Sequence, residues 1–255
     1  MQIKGKTILI TGGASGIGLE AAKQFLANGA NVIITGRNQG KLDDAKKLYP
    51  AIITIKSDVS EADDAQKLFN QVQQLGGIDI LYNNAGVLTD PINLGLANQK
   101  HLKDAAYEIN VNYLGVIRLN DLFIDMLKSR EESAIINTTS LLSYVPSLLE
   151  ATYSASKVAL QFYTKSLRKH LQILNSSVKV FELLPPLVAT EMTTEMNGKK
   201  MSVADMVKAF IAGLQKDKLT IRIGDTKIVY LLNRLFPKMT FNLVNPKKSY
   251  KLISL

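Results

Sequence analysis

The chain has 255 residues, a net charge of +9 and no cysteine. That length can bury a sizeable core without staples, and the lack of thiols excludes disulfides, thiolate metal sites and cysteine nucleophiles. No apolar run approaches the roughly 20 residues that span a bilayer and no secretory apolar stretch opens the chain, so the cytoplasm is the expected compartment.

Short β-branched runs alternate with longer amphipathic stretches. Residues 7–11 (TILIT) predict a first strand, followed by a helix over about 17–28. A second strand at 31–35 (NVIIT) precedes a helix through Leu42 and Leu48, and 52–56 (IITIK) reads as the third strand. Ser60-Glu61-Ala62-Asp63 resembles a capping box opening the next helix, with Asp in the place of Glu. A fourth strand is predicted at 78–82 (IDILY), a long helix over 102–128 and a fifth strand at 134–138 (AIINT). A helix over 152–174, a sixth strand at 178–184 (VKVFELL) and a candidate seventh at 220–223 complete the pattern. Strands separated by helices of this length need crossover connections, hence parallel pairing and covered faces. No linker or repeat interrupts the series. The expectation is one α/β domain over 1–255, a doubly wound parallel sheet (Rossmann fold) with helices on both faces. A cofactor half would occupy about 1–130 and a catalytic and substrate half about 131–255.

The first strand runs directly into Thr11-Gly12-Gly13-Ala14-Ser15-Gly16-Ile17-Gly18. Glycines in such a turn let backbone N–H groups approach a pyrophosphate, and the helix N-terminus behind it favours negative charge. After the second strand, Gly36 stands where an acid would bond the adenosine ribose and repel a 2′-phosphate. Arg37 instead offers a guanidinium suited to phosphate and to stacking on adenine, and Ser15 and Asn38 add hydrogen-bonding groups. These residues favour NADP(H) over NAD(H), the bland reading of Arg37 being a solvated loop residue. Asp58 and Val59 follow the third strand, where adenine would lie. Asn84, Ala85 and Gly86 end the fourth, where small residues can line a cofactor cleft.

Moving a hydride to or from a carbonyl carbon requires a matched proton transfer at its oxygen, and a donor that polarises that oxygen. Tyr153 and Lys157 lie four apart in a helical stretch and share a face. The ammonium, together with a positive nicotinamide ring, is expected to lower the phenol; bringing it from about 10 to about 7 takes roughly 4 kcal/mol. The pair alone means little, because in so basic a chain Tyr230 with Arg234 makes a similar one. Ser140, just past the fifth strand and thirteen residues before Tyr153, supplies the missing context.

Taken in order, the turn T-G-x-x-x-G-x-G at 11–18, N-N-A-G at 83–86, N-x-x-G at 112–115, the strand-end Ser140 and Y-x-x-x-K at 153–157 form one series. With it the chain resembles the short-chain dehydrogenase/reductase family over nearly its whole length. The resemblance implies that Ser140 hydrogen-bonds the substrate oxygen and Tyr153 exchanges the proton. Lys157 would hold the nicotinamide ribose and tune Tyr153, and Asn112 would anchor a water linking Lys157 to solvent. Pro185 and Thr190 fit the family's carboxamide loop, whereas Pro186 replaces its glycine and stiffens that loop. The run L-P-P-L-V-x-T-E-M at 184–192 looks most like bacterial oxidoreductases of the D-alanyl-lipoteichoic acid operon. A homodimer or homotetramer through 102–128 and 152–174 is also implied.

The implied partner is a small-molecule carbonyl or alcohol, with no integral membrane segment. Nucleic acid is not expected, because the basic residues are dispersed among acids such as Asp43, Asp44, Asp63 and Asp64. The late group Lys247, Lys248 and Lys251 lacks a recognisable module. Two other readings differ in class. One is a cofactor-binding sensor or scaffold with little turnover, which would be expected to lose the catalytic set. The other is an epimerase or dehydratase of the extended fold, which usually carries more chain after the equivalent of Thr190. Asn110 and Ser143 are near misses in spacing. His101 and His170 are expected at helix surfaces away from the motifs, and a metal site is not expected. Met192, Met196, Met201 and Met206 suit either a lid or a core, and 229–243 suits a pocket wall, a subunit interface or a membrane surface.

Overall fold

Seven parallel strands form one sheet in the order β3-β2-β1-β4-β5-β6-β7 in a computed structural model that describes residues 1–196, 198–247 and Tyr250. The strands are β1 (Thr7–Thr11), β2 (Asn31–Gly36), β3 (Ile53–Lys56), β4 (Ile80–Asn83), β5 (Ser133–Thr138), β6 (Val178–Leu184) and β7 (Thr220–Arg222). The helices are α1 (Gly16–Ala27), α2 (Gln39–Leu48), α3 (Ala62–Gln74), α4 (Gln99–Ile109), α5 (Gly115–Lys128), α6 (Ala151–Ile173), α7 (Val203–Gln215), α8 (Thr226–Leu235) and α9 (Pro237–Val244). Strand order reverses between β1 and β4, so their carboxyl ends part around a crevice, the usual ligand position in an open α/β sheet.

Alternation along the buried strands builds two cores. Ile8 and Ile10 of β1 join Ile34, Ala21, Phe25 and Phe210 on the face covered by α1 and α7. Leu9 joins Ile33, Leu68, Val72 and Phe123 on the face covered by α3 and α5. Both faces are thus apolar, as period-2 alternation in a doubly covered sheet requires.

Three expectations change. The capping box at Ser60–Asp63 does not form. Glu61 precedes α3 without a side-chain cap, and the Ser60 hydroxyl donates instead to Asp58 Oδ1 at 2.7 Å. Asp64 Oδ2 accepts from the Asp58 N–H at 3.1 Å, so the acids of this helix start order the preceding loop. The helix expected over 102–128 is interrupted by a π-helical turn at Asn110–Leu114, which inserts Asn112 into the interior, fully buried. Past β6 the chain adds α7, α8 and α9, three helices beyond the expected pattern. Among the described residues no helix is long and apolar enough to cross a membrane. Lys248 and Lys251 lie outside the described residues.

Candidate active site

The crevice is closed at its base by contacts between the ends of β1 and β4. Thr11 Oγ1 accepts the N–H groups of Asn84 and Ala85, both at 3.0 Å, and Asn84 Nδ2 donates to the Thr11 and Gly12 carbonyls at 3.0 and 3.2 Å. Gly12 has φ +62°, and a Cβ there would lie 2.9 Å from Ala85 Cα. A Cβ at Gly18 would lie 2.3 Å from the Gly12 oxygen, so only glycine lets α1 start this close to the turn. Ser15 caps α1 in an extended conformation without a side-chain bond to the helix, and the first turn carries no acid. Its N-terminal N–H groups and dipole are therefore not neutralised by the helix's own side chains. Ile17 packs partly buried against the core beneath. Thr190 overhangs the turn, its Cγ2 3.4 Å from where a Cβ on Gly16 would sit. Pro185 leaves β6, and Pro186 packs toward Gly224 of the loop after β7. These features form a cradle suited to a dinucleotide pyrophosphate.

Residues expected around the adenosine gather at the ends of β2 and β3. Arg37 is exposed and donates to the Tyr107 hydroxyl of α4, its guanidinium carbon 5.7 Å from that ring's centroid. Arg37 therefore stays an exposed loop residue with one side-chain partner on α4. Asn38 caps α2, accepting from the Lys41 N–H at 3.1 Å. Asp58 accepts from Ser60, while Val59 is buried against Gly115.

Ser140, Tyr153 and Lys157 come together at the carboxyl end of β5. Ser140 Oγ caps a short 3-10 turn by accepting from the Leu142 N–H at 3.1 Å, which leaves its own proton free to point elsewhere. The near miss Ser143 supports it, accepting from the Ser140 N–H at 3.3 Å. The other near miss, Asn110, donates to the Ser60 carbonyl at 3.3 Å, away from this group. Lys157 is 3% exposed, and its Nζ donates to the Thr138 carbonyl at 2.9 Å and lies 5.6 Å from the Tyr153 ring centroid. A Cβ on Gly86 would lie 3.3 Å from Asn112 Oδ1 and 3.5 Å from Lys157 Nζ. The missing side chain therefore keeps the approach to Lys157 open. Asn112 spends its side chain on the Val87 N–H and carbonyl, at 2.8 and 2.9 Å, and on Ser156 Oγ at 3.0 Å. These bonds tie the loop after β4 to α6.

The protein's own groups set the resting state of Tyr153. Burial of the phenol pushes it up to about 12, opposed by a hydrogen bond with Ser140 and reinforced by the carboxylates of Glu108 and Glu150. Burial likewise pulls Lys157 down to about 8. Desolvation is the largest cause of both shifts, so the phenol favours its protonated form, the form able to act as an acid.

Sequence reasoning missed Tyr107, Thr138 and Glu108. Glu108 precedes Asn112 by four residues, and that spacing was the available signal. His101 is not remote from the motifs, because it lines a small cavity with Glu108 and the residues just before Tyr153. Met206 is core, whereas Met192 is exposed. Tyr230 does not join the catalytic group; it stacks under Arg222, whose guanidinium carbon is 3.9 Å from the ring centroid.

The family model for short chain dehydrogenases matches residues 6–201. The uncharacterized oxidoreductase DltE of Bacillus subtilis is 33% identical over 228 residues, which span 87% of this chain and 89% of the relative. A short chain dehydrogenase from Burkholderia cenocepacia, solved in complex with NADP, matches with a TM-score of 0.84 at 26% identity, covering 96% of this chain and 99% of its own. The 3-ketoacyl-(acyl-carrier-protein) reductase from Brucella melitensis, complexed with NADH, gives 0.77 at 27% identity, covering 86% and 95%.

Proposed function

The chain belongs to the short-chain dehydrogenase/reductase family of oxidoreductases, and from that premise we propose that it transfers a hydride between NADP(H) and a carbonyl/alcohol pair, with Tyr153 as the acid/base. The observation that carries the reading is the convergence of Ser140, Tyr153 and Lys157 beside the glycine cradle. A nicotinamide dinucleotide is supported by the relatives solved with NADP and NADH. The preference for its phosphorylated form rests on Arg37 and Gly36.

When bound, the dinucleotide supplies or accepts the hydride. Gly12, Gly16 and Gly18 would admit its pyrophosphate to the α1 N-terminus. Arg37 and Asn38 would meet the adenosine phosphate, with Asp58 and Val59 at the adenine. Asn84, Ala85 and Gly86 would line the cleft, and Pro185 and Thr190 would close over the nicotinamide end. In the reducing direction the Ser140 hydroxyl donates to the substrate oxygen and Tyr153 Oη delivers a proton to it. Lys157 holds positive charge beside the phenol and steadies the phenolate that remains. The same reading includes a homodimer or homotetramer through α4, α5 and α6. Leu102, Leu114 and Phe162 are exposed apolar side chains on that stretch which an interface would cover.

Reduction of a panel of aldehydes and ketones, followed by loss of NADPH absorbance, tests the proposal. Turnover of at least one member is the expected result. Saturable NADPH binding with no turnover across the panel would favour the sensor reading. Arg37→Ala addresses the cofactor choice. It should weaken NADPH by about tenfold or more, the worth of a charge-assisted phosphate contact, and change NADH by less than about twofold. Parallel loss of both cofactors would show that Arg37 serves the loop, through Tyr107, rather than the phosphate.

A further inference from the structure

Where the loop after β4 and α4 meet the start of α6 lies a cavity of about 10 Å³, room for one water-sized group. Its wall includes Asp90, His101, Glu108 and Glu150, together with Ala151 and Thr152, which directly precede Tyr153. Glu108 is 1% exposed. Its Oε1 accepts from the Thr89 N–H at 2.8 Å and the Thr89 hydroxyl at 2.9 Å, but Oε2 has no hydrogen-bond partner among the described residues. Leaving a buried carboxylate oxygen unpaired is costly, and Glu108 lines this cavity.

The wall also states what kind of donor fits. It carries three carboxylates and a single histidine. Glu150 Oε2 takes one hydrogen bond, from the Ser147 hydroxyl, and Asp90 stands exposed at the rim. A hydroxyl would satisfy one oxygen and leave the charges uncompensated. An ammonium group is water-sized, brings three donors and no acceptor, and carries the opposite charge. Among the described residues no three His, Asp or Glu side chains are gathered so as to hold a metal ion.

We infer that this cavity is the subsite for an ammonium group on the substrate, which makes the substrate class a short-chain amino ketone or amino alcohol. The inference rests on the oxidoreductase reading above. In the reducing direction the carbonyl carbon receives a hydride from NADPH, which leaves as NADP⁺. The carbonyl oxygen receives the Tyr153 proton, and the ammonium group is unchanged. The substrate's charge also serves the chemistry. Glu108 and Glu150 both oppose ionisation of Tyr153, and a cation lodged between them removes that opposition, so the proton leaves Tyr153 more readily when the correct substrate is bound.

The test compares 1-amino-2-propanol with 2-butanol, which differ by an ammonium in place of a methyl. Calorimetry measures binding of both to the NADP⁺-saturated protein, and in parallel to the cofactor-free protein, for wild type, Glu108→Gln, Glu150→Gln and Asp90→Asn. The amine is expected to bind wild type about tenfold or more tighter than the alcohol, as a hydrogen-bonded charge pair would give. Glu108→Gln should abolish that preference, and the other two variants should reduce it. Equal binding of the two probes, or a preference that survives Glu108→Gln, overturns the inference. If Glu108→Gln does not fold, Asp90→Asn and Glu150→Gln decide it, since a preference untouched by both would contradict the site. Failure of NADP⁺ to bind would overturn the oxidoreductase reading instead, with the amine preference still decided on the cofactor-free protein.

Discussion

Tyr153→Phe is expected to lower kcat by about a thousandfold, within the range of 10² to 10⁴ that a positioned acid/base contributes, while leaving NADPH affinity within about twofold of wild type. The substitution removes one oxygen from a side chain whose ring is held by α6, so neither the glycine cradle nor Lys157 need move. The phenol holds its proton up to about 12 because burial disfavours the phenolate. In the reducing direction at neutral pH, almost every molecule therefore has the acid in its working form. Phenylalanine leaves Ser140 to polarise the substrate oxygen but provides no proton, so the loss should fall on kcat. Parallel stopped-flow reduction and fluorescence titration would separate the two quantities. A variant retaining more than about a tenth of the wild-type kcat would assign the proton to another group.

Lys157→Met should inactivate the enzyme on a similar scale and make the fold more stable. Lys157 is 3% exposed, and burial without a carboxylate partner pulls its ammonium down to about 8. Below about pH 8 the group is charged in the folded and unfolded chains alike, so the penalty for burying it is fully present. At neutral pH that penalty is about 3 kcal/mol, from a shift between the ordinary lysine value of 10.5 and about 8. As pH rises from about 8 towards 10.5, the folded protein gives up its proton while the unfolded chain keeps it, and wild type gains stability. Methionine carries no charge to bury but forfeits the bond to the Thr138 carbonyl, which offsets about 1 kcal/mol. A net gain of about 2 kcal/mol, or roughly 4–8 °C in Tm, follows near pH 7. The gap should narrow at about pH 10. Thermal unfolding at the two pH values checks it. A variant less stable than wild type at neutral pH would mean that Lys157 is held by interactions that outweigh its desolvation.

The parts of this site that were legible in the sequence depend on local spacing. The four-position spacing of Tyr153 and Lys157 puts both on one helical face whatever the rest of the chain does, and Ser140 follows from lying just past a strand. The glycine turn is legible because Gly12 and Gly18 sit where a Cβ meets backbone at 2.9 and 2.3 Å. What stayed hidden depends on distant neighbours. Arg37 meets Tyr107 across 70 positions of sequence, and the Lys157 bond to Thr138 requires β5 and α6 to be packed first. The burial that pushes the Tyr153 phenol up is hidden for the same reason: a lysine four residues away is visible in a string of letters, but the dehydration of both groups is not. Ser60 was read as a cap because its spacing was right, yet Asp58 captures its hydroxyl at 2.7 Å. The π-helical turn that buries Asn112 leaves no periodic signature, since it adds a residue to a helix without breaking its apolar face.

The most direct test of the central claim is an equilibrium titration of the purified protein with NADPH, followed by nicotinamide fluorescence because the chain has no tryptophan. Saturable binding of one NADPH per chain is the predicted result, abolished by Gly18→Leu, whose side chain would collide with the Gly12 carbonyl and Asn84. Absence of saturable binding by either NADPH or NADH would contradict the assignment of the cradle, and with it the oxidoreductase function proposed for Tyr153.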